Sequence, residues 1–89
     1  MQFEWDENKR ATNVEKHRLD LLAGALLFDG RSVLTYPSPR SGEERYVSIG
    51  LVIDELVAVV WTRRDESIRL ISSRRARDGE KRTYRARFG

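Results

Sequence analysis

Three β-rich runs separated by short polar breaks constrain the fold of this chain more than any other feature: Arg45 to Val52, Leu56 to Arg63, and Ile68 to Ser73. The breaks at Asp54-Glu55 and Arg64-Asp65-Glu66 leave no room for a crossover helix, so they favour antiparallel neighbours. A fourth run, Ser32 to Tyr36, stops at Pro37-Ser38-Pro39 because neither proline can donate to a strand ladder. Residues 40–44 form a polar turn. Residues 2–5 can add a short first strand, with Phe3 and Trp5 on one face by the two-residue period.

Two helices fit between the first strand and the rest. Asp6 stands where an N-cap is wanted, and good helix formers continue to Lys16. The apolar content of this first helix is thin, essentially Ala11 and Val14, so it should lie on the surface, held by one edge. Asp20 can cap the second helix, in which Leu19, Leu22, Ala23, Leu26 and Leu27 follow the stripe of a core-facing helix and Asp29-Gly30 ends it. From about Ala76 the chain is polar and compatible with a C-terminal helix. The order β-α-α-β-β-β-β-α predicts an α+β fold in which two helices pack on one face of a mainly antiparallel sheet, with the other face left open. At 89 residues the chain is expected to be a single domain, 1–89,.

Charge divides unevenly along the chain. Residues 1–68 carry a net charge of −3 and residues 69–89 one of +6, which points to a polyanion or an acidic partner on the C-terminal side,. No apolar stretch approaches the ~20 residues of a membrane span. Acids at Glu4, Asp6 and Glu7 stand where a secretory signal would be basic. A soluble, cytoplasmic chain without a membrane partner is expected. With one His and no Cys, a zinc site is not expected,. No cofactor is called for, because no glycine-rich phosphate loop is present.

Few residues can carry chemistry. His17, four residues after Asn13, admits two readings: a general acid or base or phosphate ligand, or a helix C-terminal residue that complements the dipole. Arg63 and Arg64 end one strand while Arg69, Arg74 and Arg75 lie along the next, so antiparallel pairing gathers guanidiniums at one end of the sheet. Strict alternation places Ile68, Leu70, Ser72 and Arg74 on one face, and Arg69, Ile71, Ser73 and Arg75 on the other. Guanidinium forks suit phosphate, and fixed cations would favour the five-coordinate phosphorus of ribonucleotide cleavage. Alternatively each arginine pairs with one of Asp65, Glu66, Asp78 or Glu80. Tyr84 either stacks on an exposed base or bonds a phosphate, or anchors the terminal helix to the core.

An ordered set of fragments spans nearly the whole chain: Phe3-Glu4-Trp5-Asp6, Asn8-Lys9, Asn13, Lys16-His17, Glu44-Arg45, Ile49-Gly50, Thr62 and Arg64, Arg69, Ile71-Ser72, Arg74 and Ala76, then Glu80 and Tyr84. The set resembles the BrnT family of bacterial toxins. The resemblance implies a RelE-like fold and the ribonuclease toxin of a type II toxin–antitoxin pair; the activity expected is metal-independent endoribonucleolytic cleavage that inhibits translation and growth. It also implies a BrnA-like antitoxin with a ribbon-helix-helix part, through which alone the complex would contact operator DNA. Carried over by position, it implies catalytic roles for His17, Glu44, Arg64, Arg74 and Tyr84, and RNA-binding roles for Lys9, Arg45 and Arg69. Arg63 and Arg75 are extra basic residues beside family positions and join the RNA-binding set. The chain departs at Arg18, where the family commonly has a glycine suited to a left-handed turn. The competing reading is a non-catalytic module that binds RNA or the antitoxin through a basic C-terminal face.

Overall fold

Two tight hairpins build the centre of the sheet. In the computed structural model, which describes residues 1–89, Val52 pairs with Glu55 across Ile53-Asp54, and Arg64 pairs with Ser67 across Asp65-Glu66. The first residue of each turn, Ile53 and Asp65, adopts a left-handed backbone with φ of 60° and 52°. These hairpins join β3 (Tyr46–Val52), β4 (Glu55–Arg64) and β5 (Ser67–Arg75), and β2 (Val33–Pro37) pairs antiparallel along β3. The short strand β1 (Gln2–Glu4) lies parallel to β5 at the opposite edge, giving the order β1-β5-β4-β3-β2. Helix α1 (Glu7–His17), a 3-10 helix (Leu21–Phe28) and α2 (Asp78–Phe88) complete the expected β-α-α-β-β-β-β-α sequence of elements.

Both expected caps form: Asp6 accepts from the Asn8 amide at 2.8 Å and Asp20 from the Leu22 amide at 3.0 Å,. The first helix, however, is not held by Ala11 and Val14, which are exposed. Its buried residue is Asn13, and Arg10 ties it to the start of the 3-10 helix by a two-pronged bond to Asp20, both prongs at 3.0 Å.

The second helical segment is a 3-10 helix, not an α-helix. Its buried positions, Leu21, Gly24 and Leu27, recur every three residues, the period of that helix, and so Leu26 turns outward at 48% exposure,. Gly24 permits the close approach: a Cβ there would lie 2.4 Å from Val59 Cγ2 and 2.6 Å from Ser73 Oγ,.

Alternation along β4 separates two apolar clusters. Val59 and Trp61 meet Ile68 and Leu70 of β5 under Leu21 and Leu27, so α1 and the 3-10 helix cover one face as expected,. Phe28 closes this core, edge-on to Phe3 and Trp61 at 5.6 and 5.2 Å between ring centres,. Leu56 and Ala58 point the other way, to Val47, Ile49, Ala76 and Tyr84. Thus α2 occupies part of the face that the sequence reading left open, and the remainder of that face carries arginines.

A β-bulge decides which arginines these are. Val60 pairs with Ser72 and Trp61 with Leu70, so Ile71 has no partner,. The extra residue reverses the alternation beyond it. Ser73 joins the face of Ile68 and Leu70, while Arg74, opposite Ala58, shares the face of Arg69, opposite Thr62. Strict period-two counting had placed Arg69 and Arg74 on opposite faces.

Candidate functional site

Beside α2, the second sheet face opens into a cleft of about 480 Å³ walled by Tyr36, Arg40, Arg45, Val60, Arg74 and Arg77. Register explains the convergence: Tyr36 stands opposite Val47 and Val47 opposite Val60, giving an apolar floor, while Arg74 rises from β5 opposite Ala58. Arg40 arrives on the 40–44 turn. There Arg40 and Glu43 exchange both backbone bonds at 3.0 and 2.9 Å, and Ser41 and Gly42 adopt the positive φ such a turn requires,. The Ser38 amide donates to the Arg45 carbonyl at 2.7 Å, which holds the turn against the strand. Arg45 contacts Glu43 weakly at 3.4 Å, and its Nε is buried without a hydrogen-bond partner.

One carboxylate enters this arrangement. Glu80 Oε1 accepts from Arg74 NH1 at 2.7 Å and from the Arg77 amide at 2.8 Å; Oε2 accepts from Arg74 NH2 at 2.9 Å and from the Tyr36 hydroxyl at 2.5 Å. The side chains of Arg74 and Glu80 are only 13% and 12% exposed. The guanidinium fork, opposed by partial burial, brings the Glu80 carboxyl down to about 2,. Burial first, then Glu80, raises the Tyr36 phenol above its ordinary value.

Around the edge of β5, a second hollow of about 240 Å³ is lined by Asn8, Lys9, Thr12, Lys16, His17 and Ser72 among others. His17 is held below the usual imidazole value by burial, then by Lys16 and by Arg74, so its neutral form prevails near neutral pH,. Arg18 takes the left-handed conformation itself, φ 55° and ψ 36°, and its amide donates to the Val14 carbonyl at 2.9 Å. The helix end that a glycine would form is therefore preserved.

The family model described as "Ribonuclease toxin, BrnT, of type II toxin-antitoxin system" matches residues 5–80, from Trp5 just before α1 through Glu80 in the first turn of α2. The chain belongs to the BrnT family. No curated protein matches the sequence. As a BrnT protein it is a ribonuclease toxin, with RNA as its substrate class and an antitoxin as its partner. No helix is long and apolar enough to cross a membrane.

The remaining positions named for this BrnT chain are dispersed. Arg64 and Arg69 share the face of the cleft but lie toward β1, where Arg69 contacts Glu4 at 3.3 Å and Arg64 makes no ion pair. Arg63 and Arg75 lie on the opposite face: Arg63 sits 5.9 Å from the Trp61 ring centre, and Arg75 bonds Glu55 at 2.7 Å and the His17 carbonyl at 3.0 Å. Glu44 is not among the residues that wall the arginine cleft; it lines a smaller adjoining hollow with Pro37, Pro39, Arg45 and Tyr46, and its carbonyl accepts from the Thr62 hydroxyl at 2.6 Å. Tyr84, 9% exposed, packs in the core and its hydroxyl donates to the Ser32 carbonyl at 3.2 Å. Of the acids expected to neutralise the arginines, Glu80 does so; Asp65, Glu66 and Asp78 form no ion pair.

Tyr36, Arg40 and Arg77 were missed by sequence reasoning. The positive charge of Arg40 and Arg77 was visible, but their approach to one cleft depends on pairing across β2, β3 and β5 and left no periodic signal.

Proposed function

We propose that this BrnT protein is a cytoplasmic, metal-independent endoribonuclease that stops translation and growth by cutting RNA in the arginine cleft. The observation that supports it is the convergence of Arg40, Arg45, Arg74 and Arg77 with Tyr36 on the sheet face, beside the hollow that holds His17.

In this reading the guanidiniums of Arg45, Arg77 and Arg40 hold the scissile phosphodiester, with Arg74 at the base of the cleft. The 2′ oxygen attacks phosphorus and gives its proton to neutral His17. The bond from phosphorus to the 5′ oxygen breaks, and that oxygen takes a proton from Lys9 or water. The products are a 2′,3′-cyclic phosphate and a 5′ hydroxyl. Charge concentrates on the phosphoryl oxygens in the transition state, where fixed cations act more strongly than on the ground state. Arg64 and Arg69 extend the cationic face for flanking phosphates, while Tyr84 and Glu44 have no direct part. A BrnA-like ribbon-helix-helix antitoxin covers the basic face and supplies the contact with operator DNA.

The pairing of Arg74 with Glu80 favours a second reading, a module that binds RNA or antitoxin without cutting. Purified protein incubated with RNA in EDTA separates the two. Cleavage with EDTA present, falling about 100-fold in Arg45→Ala and Arg77→Ala, supports the nuclease. Salt-sensitive retention of RNA without scission, or both variants cutting at the wild-type rate, removes the cleft assignment.

A further inference from the structure

Arg74 cannot serve a substrate while both its terminal nitrogens are engaged by Glu80. We propose that the Glu80 carboxylate is an internal stand-in for an RNA phosphodiester, so that the first turn of α2 gates the anion site of the cleft. The proposal rests on the reading that the cleft takes the RNA backbone, and it assigns Glu80 a role opposite to catalysis.

Four donors surround the two carboxylate oxygens: the two terminal nitrogens of Arg74, the Tyr36 hydroxyl and the Arg77 amide. A phosphodiester presents two non-bridging oxygens of the same charge type, and a guanidinium fork receives either group by the same pair of parallel bonds. A carboxylate placed there fills the site and cancels the charge of Arg74. Arg45 Nε, buried without a partner in the adjoining wall, is a donor that Glu80 does not reach.

The surroundings of α2 suit a gate. Of its residues Tyr84 alone is buried, so the helix is attached through few side chains besides Glu80. A space of about 350 Å³ between Leu34, Tyr36 and Ile49 on the sheet and Gly79 and Thr83 on the helix gives a displaced Glu80 side chain somewhere to go. Lys81, Arg82, Arg85 and Arg87 on α2 form no ion pair, so an incoming polyanion gains attraction from the helix as it displaces the carboxylate,.

The test measures affinity for a 2′-deoxy-substituted RNA oligonucleotide, which cannot be cut through its sugar, at fixed ionic strength. Full-length wild type is compared with Glu80→Gln, Glu80→Asp and Asp78→Asn, each first checked for folding by thermal melting. Glu80→Gln is expected to bind roughly tenfold tighter. Glu80→Asp keeps the charge but withdraws the carboxylate by one methylene, and is expected to bind several-fold tighter. It decides the matter if Glu80→Gln fails to fold. Asp78→Asn, which removes a charge from the same helix turn, is expected to match wild type. Affinity of Glu80→Asp no higher than wild type, or a gain in Asp78→Asn equal to that of Glu80→Gln, overturns the gate. Cleavage of ordinary RNA by wild type is scored separately. Tighter binding with no cleavage by any form sinks the nuclease and keeps the gate, whereas cleavage with unchanged Glu80 affinities does the reverse.

Discussion

The carboxamide of Asn13 bonds both backbone groups of Ser73, accepting its amide at 3.0 Å and donating to its carbonyl at 2.7 Å. Beyond the end of β1 no strand continues along β5, and this side chain satisfies the edge that a strand would otherwise pair,. The same nitrogen reaches the Leu19 carbonyl at 2.6 Å. Asn13→Ala therefore strands several buried polar groups, and a loss of about 2–4 kcal/mol in urea unfolding is expected. An unchanged midpoint would mean that water replaces the carboxamide without penalty.

Arg18→Gly should stabilise the protein. A residue with a Cβ in the left-handed region costs about 1–2 kcal/mol, of which the greater freedom of glycine in the unfolded chain takes back roughly half. The expected gain is about 0.5–1 kcal/mol, read as a higher urea midpoint with RNA cleavage unaltered. Lower stability would show that the Arg18 side chain makes a contact worth more than the backbone relief.

Tyr84→Phe is expected to cost about 1 kcal/mol for the lost bond to Ser32 and to leave RNA cleavage at the wild-type rate,. Tyr84→Ala, which empties a core position, should cost about 3–5 kcal/mol. If the phenylalanine variant folds but no longer cuts RNA, the hydroxyl has a role that its position in the core does not explain.

Acid should loosen α2. The Glu80 carboxyl lies at about 2 in the folded protein against an ordinary 4.5, so its contribution is fully present above about 4.5 and is lost as the pH falls toward 2,. On the order of 2–3 kcal/mol is at stake, since the carboxylate is mostly enclosed with Arg74. Urea unfolding across that window should show wild type losing stability more steeply than Glu80→Gln. Parallel pH profiles would place the acid-sensitive contact elsewhere.

Local signals were legible wherever a neighbour in sequence supplies the physical cause. Asp6 and Asp20 cap the helices they precede, the proline pair ends β2, and the two polar breaks become two-residue hairpin turns. Helix α1 lies on the surface and is held by one edge, as its thin apolar content implies, but the residue that anchors it is an amide, Asn13, whose partner Ser73 lies sixty residues away and leaves no local signal. The Tyr84 reading remained open because a tyrosine four residues after Glu80 suits either a surface or a core, and only the position of α2 over Val47 and Ile49 makes it a core residue.

By itself the sequence determined the order of elements, the antiparallel hairpins, the charge imbalance and the family, because each rests on residue types at short spacing or in fixed order. Tertiary structure alone decided which arginines share a face. One unpaired residue, Ile71, inverts the side-chain alternation of β5, and nothing in the composition of that strand announces it,. It also decided that Tyr36 and Arg74 meet on the carboxylate of Glu80, since a contact across 44 residues follows from how α2 settles on the sheet, and no local preference encodes it.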